Sequence, residues 1–299
     1  MPPCLHLVVA INAAAAFGRR RDVGPRVAQA LVAAGHQVTS LSAPSFDALR
    51  RDVQGALVSR VDALVVVGGD GMVSLGTNLL AGTSRPLAIV PCGTGNDLAR
   101  GLGIPVDDTD AAIRHLLDAL TRPPRAIDAA RVRCGDTTIW FAGVLSAGFD
   151  AVVDERANRM RRPRGKSRYT LAMLLVLTTF RPISYRLTVD GRPRRMRAML
   201  ISVANNVSIG GGMRVVPGAV IDDGLLDLFI VAPLSRAGFL RVFPKVFSGT
   251  HTTLPQVEIT QCCSIRIDAD RVAAYADGER VGAMPVQVDV VPKALLVHA

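Results

Sequence analysis

A glycine-rich tetrapeptide constrains this chain more than any other feature. Gly68-Gly69-Asp70-Gly71 directly follows the apolar run Ala63–Val67 and directly precedes the helical pattern Met72–Leu80. Glycines in such a loop let backbone N–H groups approach phosphate oxygens closely, and the helix N-terminus adds positive potential. The Asp70 carboxylate could hold a Mg²⁺-bound water or position a phosphate through the metal. The alternative is a tight turn without a ligand.

A second glycine loop follows the next apolar run, Leu87–Val90. It contains Gly93, Thr94, Gly95, Asn96 and Asp97. The Thr94 hydroxyl suits a phosphate oxygen, whereas Asn96 and Asp97 either cap the following helix or bind metal-bound water. Two such loops after successive strands predict one continuous phosphate-binding rim.

The first part of the chain alternates short apolar runs with segments of helical length. This rhythm predicts a parallel sheet covered by helices on both faces, with ligands at the carboxyl ends of the strands. Asp22 and Ser45 are plausible helix caps. The predicted strands are Leu5–Ile11, Gln37–Leu41, Ala63–Val67 and Leu87–Val90, and the predicted helices are Asp22–Ala34, Phe46–Arg60 and Met72–Leu80.

From about Ala126 the pattern changes to short strands separated by turn signals. It predicts an antiparallel, sandwich-like or barrel-like second domain. Arg122–Arg125 is a plausible boundary, which gives domains at residues 1–125 and 126–299, and the pattern leaves open whether the last strand returns to the first domain. The predicted strands are Ala129–Cys134, Ile139–Leu145, Ser184–Val189, Arg197–Ala204, Leu225–Val231, Gln256–Ile259, Ser264–Ala269, Val272–Ala276 and Val286–Val291.

The chain carries a formal charge of +10, which predicts attraction to polyanions. Basic residues are concentrated between Arg156 and Arg168, beside the apolar segment Tyr169–Phe180. A basic stretch next to an apolar helix can rest at an anionic bilayer interface. The alternative is a solvated loop followed by a buried helix. Nucleic acid is disfavoured as a partner because the basic residues are not interleaved with stacking aromatics.

Several observations predict a cytoplasmic protein. The segment Tyr169–Phe180 is too short for the roughly 20 residues of a membrane-spanning helix. The apolar start Leu5–Phe17 lacks the basic region that precedes a signal peptide. The five cysteines are odd in number and lack zinc-ligand spacing, which is typical of reduced thiols.

Taken in order, the motifs resemble the diacylglycerol kinase catalytic family, and in particular the soluble bacterial lipid kinases of the YegS and DgkB type. The resemblance is carried by Gly68–Gly71, Pro91–Arg100, Gly148–Asp150, Asp223–Asp227 and Asp277–Glu279. It implies an α/β amino-terminal nucleotide-binding domain, like those of NAD kinases and phosphofructokinases, and a β-rich, sandwich-like lipid-binding domain. It also implies an active site in the cleft between them.

The resemblance implies ATP and Mg²⁺ as cofactors. Asp223 would bind a structural Mg²⁺ together with the backbone carbonyls of Val220 and Leu225. The nucleotide would lie against Asn12, Ala13, Ala14, Ala15, Ala16, Ser42, Gly68, Gly69, Asp70, Gly71, Met72, Val73, Ser74, Gly93, Thr94, Gly95, Asn96 and Asp97.

The turn formed by Asp277, Gly278 and Glu279 would supply the base that takes the proton from the lipid hydroxyl. The residues themselves leave open which carboxylate is the base and which one orients, and a hairpin turn with solvated acids is the alternative without the resemblance. The chain departs from the family pattern at Met72, where a threonine is usual, at Leu75, where glutamate is common, and in the alanines after Asn12.

These features predict an ATP-dependent lipid kinase that acts at an anionic membrane surface, with diacylglycerol as acceptor and phosphatidic acid as product. One alternative is phosphorylation of a soluble acceptor, as in NAD kinases, which also carry a Gly-Gly-Asp-Gly loop. The other is a non-catalytic nucleotide-binding or lipid-binding regulator, motivated by Met72 and Leu75. An exposed sheet edge could support a homodimer.

Overall fold

A computed structural model describes residues 4–12, 22–160, 162, 171–172, 175–176, 180–270 and 272–299. The chain divides into two compact units. The first comprises Met1–Ile127 with Lys293–Ala299, and the second comprises Asp128–Pro292.

The first unit is built on a parallel sheet with the strand order β2-β1-β3-β4. The carboxyl end of the last strand of the chain, β16, extends this sheet by pairing Val297 with Leu87 in parallel. The strands are β1 His6–Ile11, β2 Gln37–Ser42, β3 Ala63–Gly68, β4 Leu87–Pro91 and β16 Val286–His298. The helices are α1 Val23–Ala33, α2 Phe46–Ala56, α3 Asp70–Leu80, α4 Asp97–Gly101 and α5 Thr109–Ala119.

Helices cover both faces of this sheet, as the sequence pattern predicts. On one face α1 and α5 share a buried cluster with Leu7 and Val65 of the strands. On the other face α2 contacts β1, and α3 contacts β3 and β4. Every residue of β3 is buried, which explains its continuous apolar run.

The two predicted helix caps have different outcomes. The Ser45 hydroxyl accepts a hydrogen bond from Ala48 N at 3.2 Å, which confirms it as the cap of α2. Asp22 occupies the N-cap position of α1, as predicted, but its side chain makes no capping hydrogen bond to that helix. Its carboxylate instead lies 3.8 Å from the Arg26 guanidinium, one helical turn away.

The second unit is a β-sandwich. One sheet has the order β12-β11-β10-β7-β14-β15, and the other contains β16, β13, β8 and β9, with β5 paired to β16 and β6. The strands are β5 Arg125–Cys134, β6 Thr137–Phe141, β7 Val144–Gly148, β8 Ile183–Val189, β9 Arg192–Ala198, β10 Leu200–Ala204, β11 Leu226–Val231, β12 Val257–Cys262, β13 Ser264–Ala269, β14 Ala273–Ala276 and β15 Glu279–Ala283.

An apolar core fills the sandwich, and helices cover its six-stranded sheet. Leu145 and Ile201 of that sheet belong to the same buried cluster as Ile265 of the other sheet. A second buried cluster joins the outer face of the six-stranded sheet to two helices, α6 Phe149–Arg159 and α7 Arg236–Ser248.

Two predicted strands are each two strands in the structure. Ile139–Leu145 divides into β6 and β7, and Arg197–Ala204 divides into β9 and β10. In both cases the chain passes from one sheet to the other, and the residues on either side remain buried. An apolar run therefore does not reveal where a strand ends when the chain changes sheets. The sequence pattern also missed the strand β15 and three helices, α5 and two that cover the sandwich, α6 and α7, and it did not delimit α4.

The described residues contain no helix that is long and apolar enough to cross a membrane. The arginine-rich segment 156–168 and the apolar segment Tyr169–Phe180 lie largely outside the described residues, so the two readings of each stay open. None of the five cysteines, all of which lie in the described part of the chain, forms a disulfide.

Candidate functional site

The predicted nucleotide-binding residues of the first unit gather at one edge of its sheet. Ile11 is in register with Ser42 on one side and with Val67 on the other, and Gly68 is in register with Pro91. Asn12, Ser42 and both glycine loops therefore follow the carboxyl ends of adjacent strands. Ala13, Ala14, Ala15 and Ala16 lie outside the described residues.

The two glycine loops are in direct backbone contact. A Cβ atom added to Gly69 would lie 3.0 Å from the Cα of Gly93. The Cys92 N–H donates to the Gly68 carbonyl at 2.9 Å, so the strand pairing continues into the loops. Because a side chain at either glycine would force the backbones apart, glycine is required here for this approach.

The Asp70 carboxylate joins the first loop to the second. Its Oδ1 accepts a hydrogen bond from Asp97 N at 2.9 Å, and its Oδ2 accepts one from Asn96 N at 3.0 Å. Asp70 thus holds the backbone of the second loop, a structural role that the sequence pattern did not suggest. Its predicted action on a metal-bound water stays a prediction.

Asn96 closes the second loop on itself. Its Oδ1 accepts from Gly93 N at 3.0 Å, and its Nδ2 donates to Gly93 O at 3.1 Å. The residue is buried, and its backbone adopts the left-handed conformation with φ of 57°. Its side chain makes no capping hydrogen bond to α4, so the capping alternative for Asn96 is wrong. Thr94, between the two glycines, is exposed.

At the start of α3, the backbone N–H groups rather than the side chains are the candidate contacts to a nucleotide. Met72 N and Val73 N already donate to Gly69 O, so the N–H groups of Asp70 and Gly71 precede the first hydrogen bonds of the helix. The side chains of Met72, Val73 and Ser74 are buried. Any contact of these three residues with a nucleotide would therefore use the backbone.

Met72 and Leu75, where the chain departs from the family pattern, are core residues of the first unit. Both side chains are 1% exposed. A Cβ atom added to Gly68 would collide with the Met72 side chain, which shows that Met72 packs directly over that glycine. These substitutions fill apolar space and leave the loop backbone in place.

In the second unit, Asp277 anchors the turn between β14 and β15. Its carboxylate accepts hydrogen bonds from Ala142 N at 3.2 Å, Gly143 N at 3.3 Å and Val144 N at 2.9 Å. Asp277 and Gly278 both have positive φ, 48° and 82°, as a two-residue hairpin turn requires. The Asp277 carboxylate is thus committed to holding the turn against the β6–β7 junction.

Glu279 differs from Asp277 in its surroundings. It is the first residue of β15, it is exposed, and its side chain makes no hydrogen bond or ion pair with any other described residue. Of the two acids in the turn, Glu279 therefore has the side chain that is available to an incoming hydroxyl group.

Two residues that the sequence analysis missed, Gly143 and Asn205, support this turn. A Cβ atom at Gly143 would overlap the Asp277 carboxylate. The buried Asn205 donates through Nδ2 to Asp128 O at 2.9 Å and to Ala142 O at 3.3 Å, and its N–H donates to Gly143 O at 2.8 Å. The pair Asn205-Asn206 at the end of an apolar strand was the only signal in the sequence.

The fully buried Asp128 also organises the predicted metal loop. Its Oδ2 accepts from Gly224 N at 2.6 Å, and its N–H donates to Ile221 O at 2.9 Å. The loop at Asp223 belongs to the long connection between β10 and β11, and the φ of Asp223 is not positive, so this acid does not lie in a two-residue hairpin turn.

The oxygen atoms around Asp223 suit a hard cation. Asp223 Oδ1 accepts from Leu225 N at 3.0 Å, and its Oδ2 accepts from Gln261 Nε2 at 3.2 Å. Burial, followed by the nearby Asp223 charge, raises the pKa of Asp227 to about 6. Carboxylate and carbonyl oxygens are the donors that Mg²⁺ prefers. No group of three His, Cys, Asp or Glu side chains within the described part of the chain could hold a metal by itself.

Comparison with known protein families shows to which family the chain belongs. Residues 6–131 match the diacylglycerol kinase catalytic domain, and residues 143–299 match the YegS C-terminal NAD kinase beta sandwich-like domain. The chain belongs to the diacylglycerol kinase family. The members of this family are lipid kinases, and a kinase of this family uses ATP as phosphoryl donor.

Individual members of the diacylglycerol kinase family align over most of the chain. A diacylglycerol kinase of Mycobacterium tuberculosis (strain ATCC 25618 / H37Rv) is 39% identical over 251 residues, which cover 83% of this chain and 80% of that protein. A probable lipid kinase, YegS-like, of Stenotrophomonas maltophilia is 30% identical and covers 83% of this chain and 82% of its own. A crystal structure of a putative diacylglycerol kinase from Bacillus anthracis shares the fold, with a TM-score of 0.77 at 22% identity over 98% of this chain and 96% of that one.

These findings confirm the family resemblance and the fold class, an α/β first domain with a sandwich-like second domain. They also confirm that the protein is a lipid kinase, without specifying its acceptor. The acceptor, the metal and the roles of individual residues stay predictions.

Proposed function

We propose that this protein transfers the γ-phosphoryl group of ATP to the hydroxyl of diacylglycerol, which gives phosphatidic acid. The observation that carries the proposal is the contact between the two glycine loops, which Asp70 joins through Asn96 N and Asp97 N. The family relatives named diacylglycerol kinase support the choice of acceptor.

The first unit binds ATP through the rim formed by both loops. Phosphoryl transfer depends mainly on positioning and on neutralising the charge of the phosphate oxygens. The N–H groups at the start of α3 and the exposed Thr94 hydroxyl are the donors that the rim presents to phosphate oxygens. Asn12 and Ser42, at the ends of the two neighbouring strands, extend the rim away from β4.

Glu279 is the base and Asp277 positions it. As the lipid hydroxyl oxygen attacks the γ-phosphorus, its proton passes to the Glu279 carboxylate, and the bond to the bridging oxygen of ADP breaks. The Asp277 carboxylate keeps the turn fixed through three backbone N–H groups and is therefore a positioning residue.

The loop at Asp223 would hold Mg²⁺ through that carboxylate and the carbonyl groups of Val220 and Leu225. When bound, the ion would offset the negative charge of Asp223 and Asp227. Asp128 shapes this loop by fixing Gly224 and Ile221, so the chain itself determines where the carbonyl groups lie.

One observation keeps a soluble acceptor as the second candidate. The second domain is of the NAD kinase sandwich type, and NAD kinases phosphorylate a soluble dinucleotide.

The hypothesis of a non-catalytic regulator was motivated by Met72 and Leu75. Because both are buried core residues, they no longer support that hypothesis. The proposed site of action is the cytoplasmic face of an anionic membrane.

Transfer from γ-labelled ATP to a panel of acceptors tests the proposal. The panel contains diacylglycerol, ceramide and sphingosine in mixed micelles, together with NAD in solution. We expect labelled phosphatidic acid in a reaction that needs both ATP and Mg²⁺. Label in NADP alone would support the soluble acceptor, and ATP consumption that no acceptor stimulates would contradict both candidates.

A further inference from the structure

Helix α7 exposes large apolar side chains on the surface of the second unit. Leu240 is 49% exposed and Phe247 is 51% exposed. With Phe243 and Pro244 between them, they follow the spacing i, i+3, i+4 and i+7, so all four lie along one side of the helix. A soluble helix normally turns its apolar residues toward the core. In α7 Phe239 is buried and Phe243 and Val246 pack against the same core, but Leu240 and Phe247 stay exposed.

A row of aromatic rings fixes the exposed end of this stripe. The Phe149 and Phe239 ring centroids are 4.6 Å apart, those of Phe239 and Phe243 are 5.9 Å apart, and those of Phe243 and Phe247 are 5.7 Å apart. The row runs from two buried rings to the half-exposed Phe247. Because its neighbours already restrict the Phe247 side chain, binding a partner through it costs little conformational entropy.

The charge of α7 is entirely positive. Arg236, Arg241 and Lys245 are exposed on the helix, and the chain has no acidic residue between Asp227 and Glu258. Arg214 lies at the end of the helix, where its N–H donates to Val246 O at 3.0 Å. Cations beside an exposed apolar stripe are the features of a helix that lies in the interface of an anionic bilayer.

Further apolar side chains are exposed on the same helical layer. Leu171 and Leu175 are 39% and 37% exposed. Their neighbours Ala172 and Val176 are buried in the same cluster as Phe239. The exposed leucines and the α7 stripe therefore border one packed layer on the outer face of the six-stranded sheet.

We propose that α7 is the element through which this protein rests on an anionic lipid bilayer. Leu240 and Phe247 insert among the acyl chains, and Arg241 and Lys245 contact the lipid phosphates. The inference rests on the proposed function, since only a lipid acceptor requires a bilayer. The cationic flank and the absence of acids favour a bilayer over an apolar protein partner, which would not require charges of one sign.

Sedimentation with vesicles of phosphatidylcholine and phosphatidylglycerol tests the proposal without any dependence on catalysis. We expect the double variant Leu240→Ser/Phe247→Ser to lower the partition coefficient at least tenfold, which corresponds to about 1.4 kcal/mol. A matched control is Val32→Ser/Val58→Ser, which removes two valines of the first unit that are 59% and 86% exposed. The control should bind as the wild type does.

A charge variant, Arg241→Gln/Lys245→Gln, should lose binding to vesicles that contain phosphatidylglycerol, and added salt should weaken the wild type in the same way. Unchanged binding of the serine variant, or equal loss in the valine control, would overturn the proposal. So would light scattering that shows a wild-type dimer which the serine variant converts to monomers, because the stripe would then be covered by a second copy of the chain.

A kinase assay separates this proposal from the proposed function. The serine variant should keep wild-type transfer to a short-chain diacylglycerol dispersed without a bilayer and should lose transfer to diacylglycerol in vesicles. If the wild type phosphorylates no lipid but α7 still governs vesicle binding, the proposed function fails and the docking surface stands. If transfer to vesicles is unaffected by the variant, the docking surface fails alone.

Discussion

The Asp70 carboxylate accepts a hydrogen bond from the Asp97 backbone N–H at 2.9 Å, so the acid of the first glycine loop holds the backbone of the second. The same carboxylate also accepts from Asn96 N. Two loops that follow neighbouring strands are thereby fixed to each other by hydrogen bonds within the chain. The proposed phosphate-binding rim is therefore preorganised, which would lower the cost of ordering it if a nucleotide binds there.

Asp70→Asn should weaken ATP binding by about tenfold or more. An amide keeps the shape but can accept at only one atom, so a backbone N–H of the second loop loses its partner, which costs about 1–3 kcal/mol. Calorimetric titration with ATP measures the effect. Asp107→Asn is a matched control, since Asp107 is an exposed acid of the same unit. Equal affinity in both variants would show that the cross-link does not matter.

Gly93→Ala should also weaken ATP binding while the protein stays folded. The added methyl group would meet the Gly69 backbone and would lie 2.9 Å from Asn96 Oδ1, so the loops must separate. In contrast, Gly55→Ala in α2 adds a methyl group that has no neighbour within 4 Å. It should raise the free energy of unfolding by roughly 1 kcal/mol and leave ATP affinity unchanged. A Gly93→Ala variant that binds ATP normally would refute the required close approach.

The sequence predicts the central strands of the first domain well, because β1, β3 and β4 are buried and parallel. Such strands appear as continuous apolar runs, and the loops at their carboxyl ends contain the glycines. In the second domain the same criterion fails where the chain changes sheets, as it does between Phe141 and Val144. Residues on both sides of that junction are buried, so hydrophobicity carries no sign of the break.

The sequence identifies the motifs of the candidate site, but it does not show the hydrogen bonds that connect them. The pattern identifies Asp277 and Glu279 together, but their different roles depend on N–H groups of residues 142–144, more than a hundred positions away. Asn205 and Asp128 were missed for the same reason. Hydrogen bonds between distant segments leave no periodic signal in the sequence.

Asp277→Asn should lower both stability and turnover. The carboxylate accepts three backbone N–H groups, and an amide would direct its own N–H toward some of them. We expect a loss of about 2 kcal/mol in the free energy of unfolding, measured with urea. Asp136→Asn, at an exposed turn of the same unit, should change neither quantity. A fully stable and active Asp277→Asn protein would remove the anchoring role.

Stability should fall in mild acid because of His298. Burial lowers the pKa of this imidazole, which lies 3.1 Å through Nδ1 from the Ala119 carbonyl. The unfolded chain therefore takes up the proton first, so stability is complete above the ordinary pKa of about 6.5 and decreases as the pH falls below it. Urea unfolding at pH 7.5 and pH 5.5 should show a smaller decrease for His298→Gln than for the wild type. Equal decreases would exclude His298 as a contributor.

The most direct test of the account is the turnover of Glu279→Gln with ATP and diacylglycerol. Since the Glu279 side chain is exposed and bonds to no other described residue, the change should leave the free energy of unfolding and the ATP affinity at wild-type values. Loss of the general base should lower kcat by roughly a hundredfold or more. A Glu279→Gln protein that forms phosphatidic acid at the wild-type rate would contradict the account.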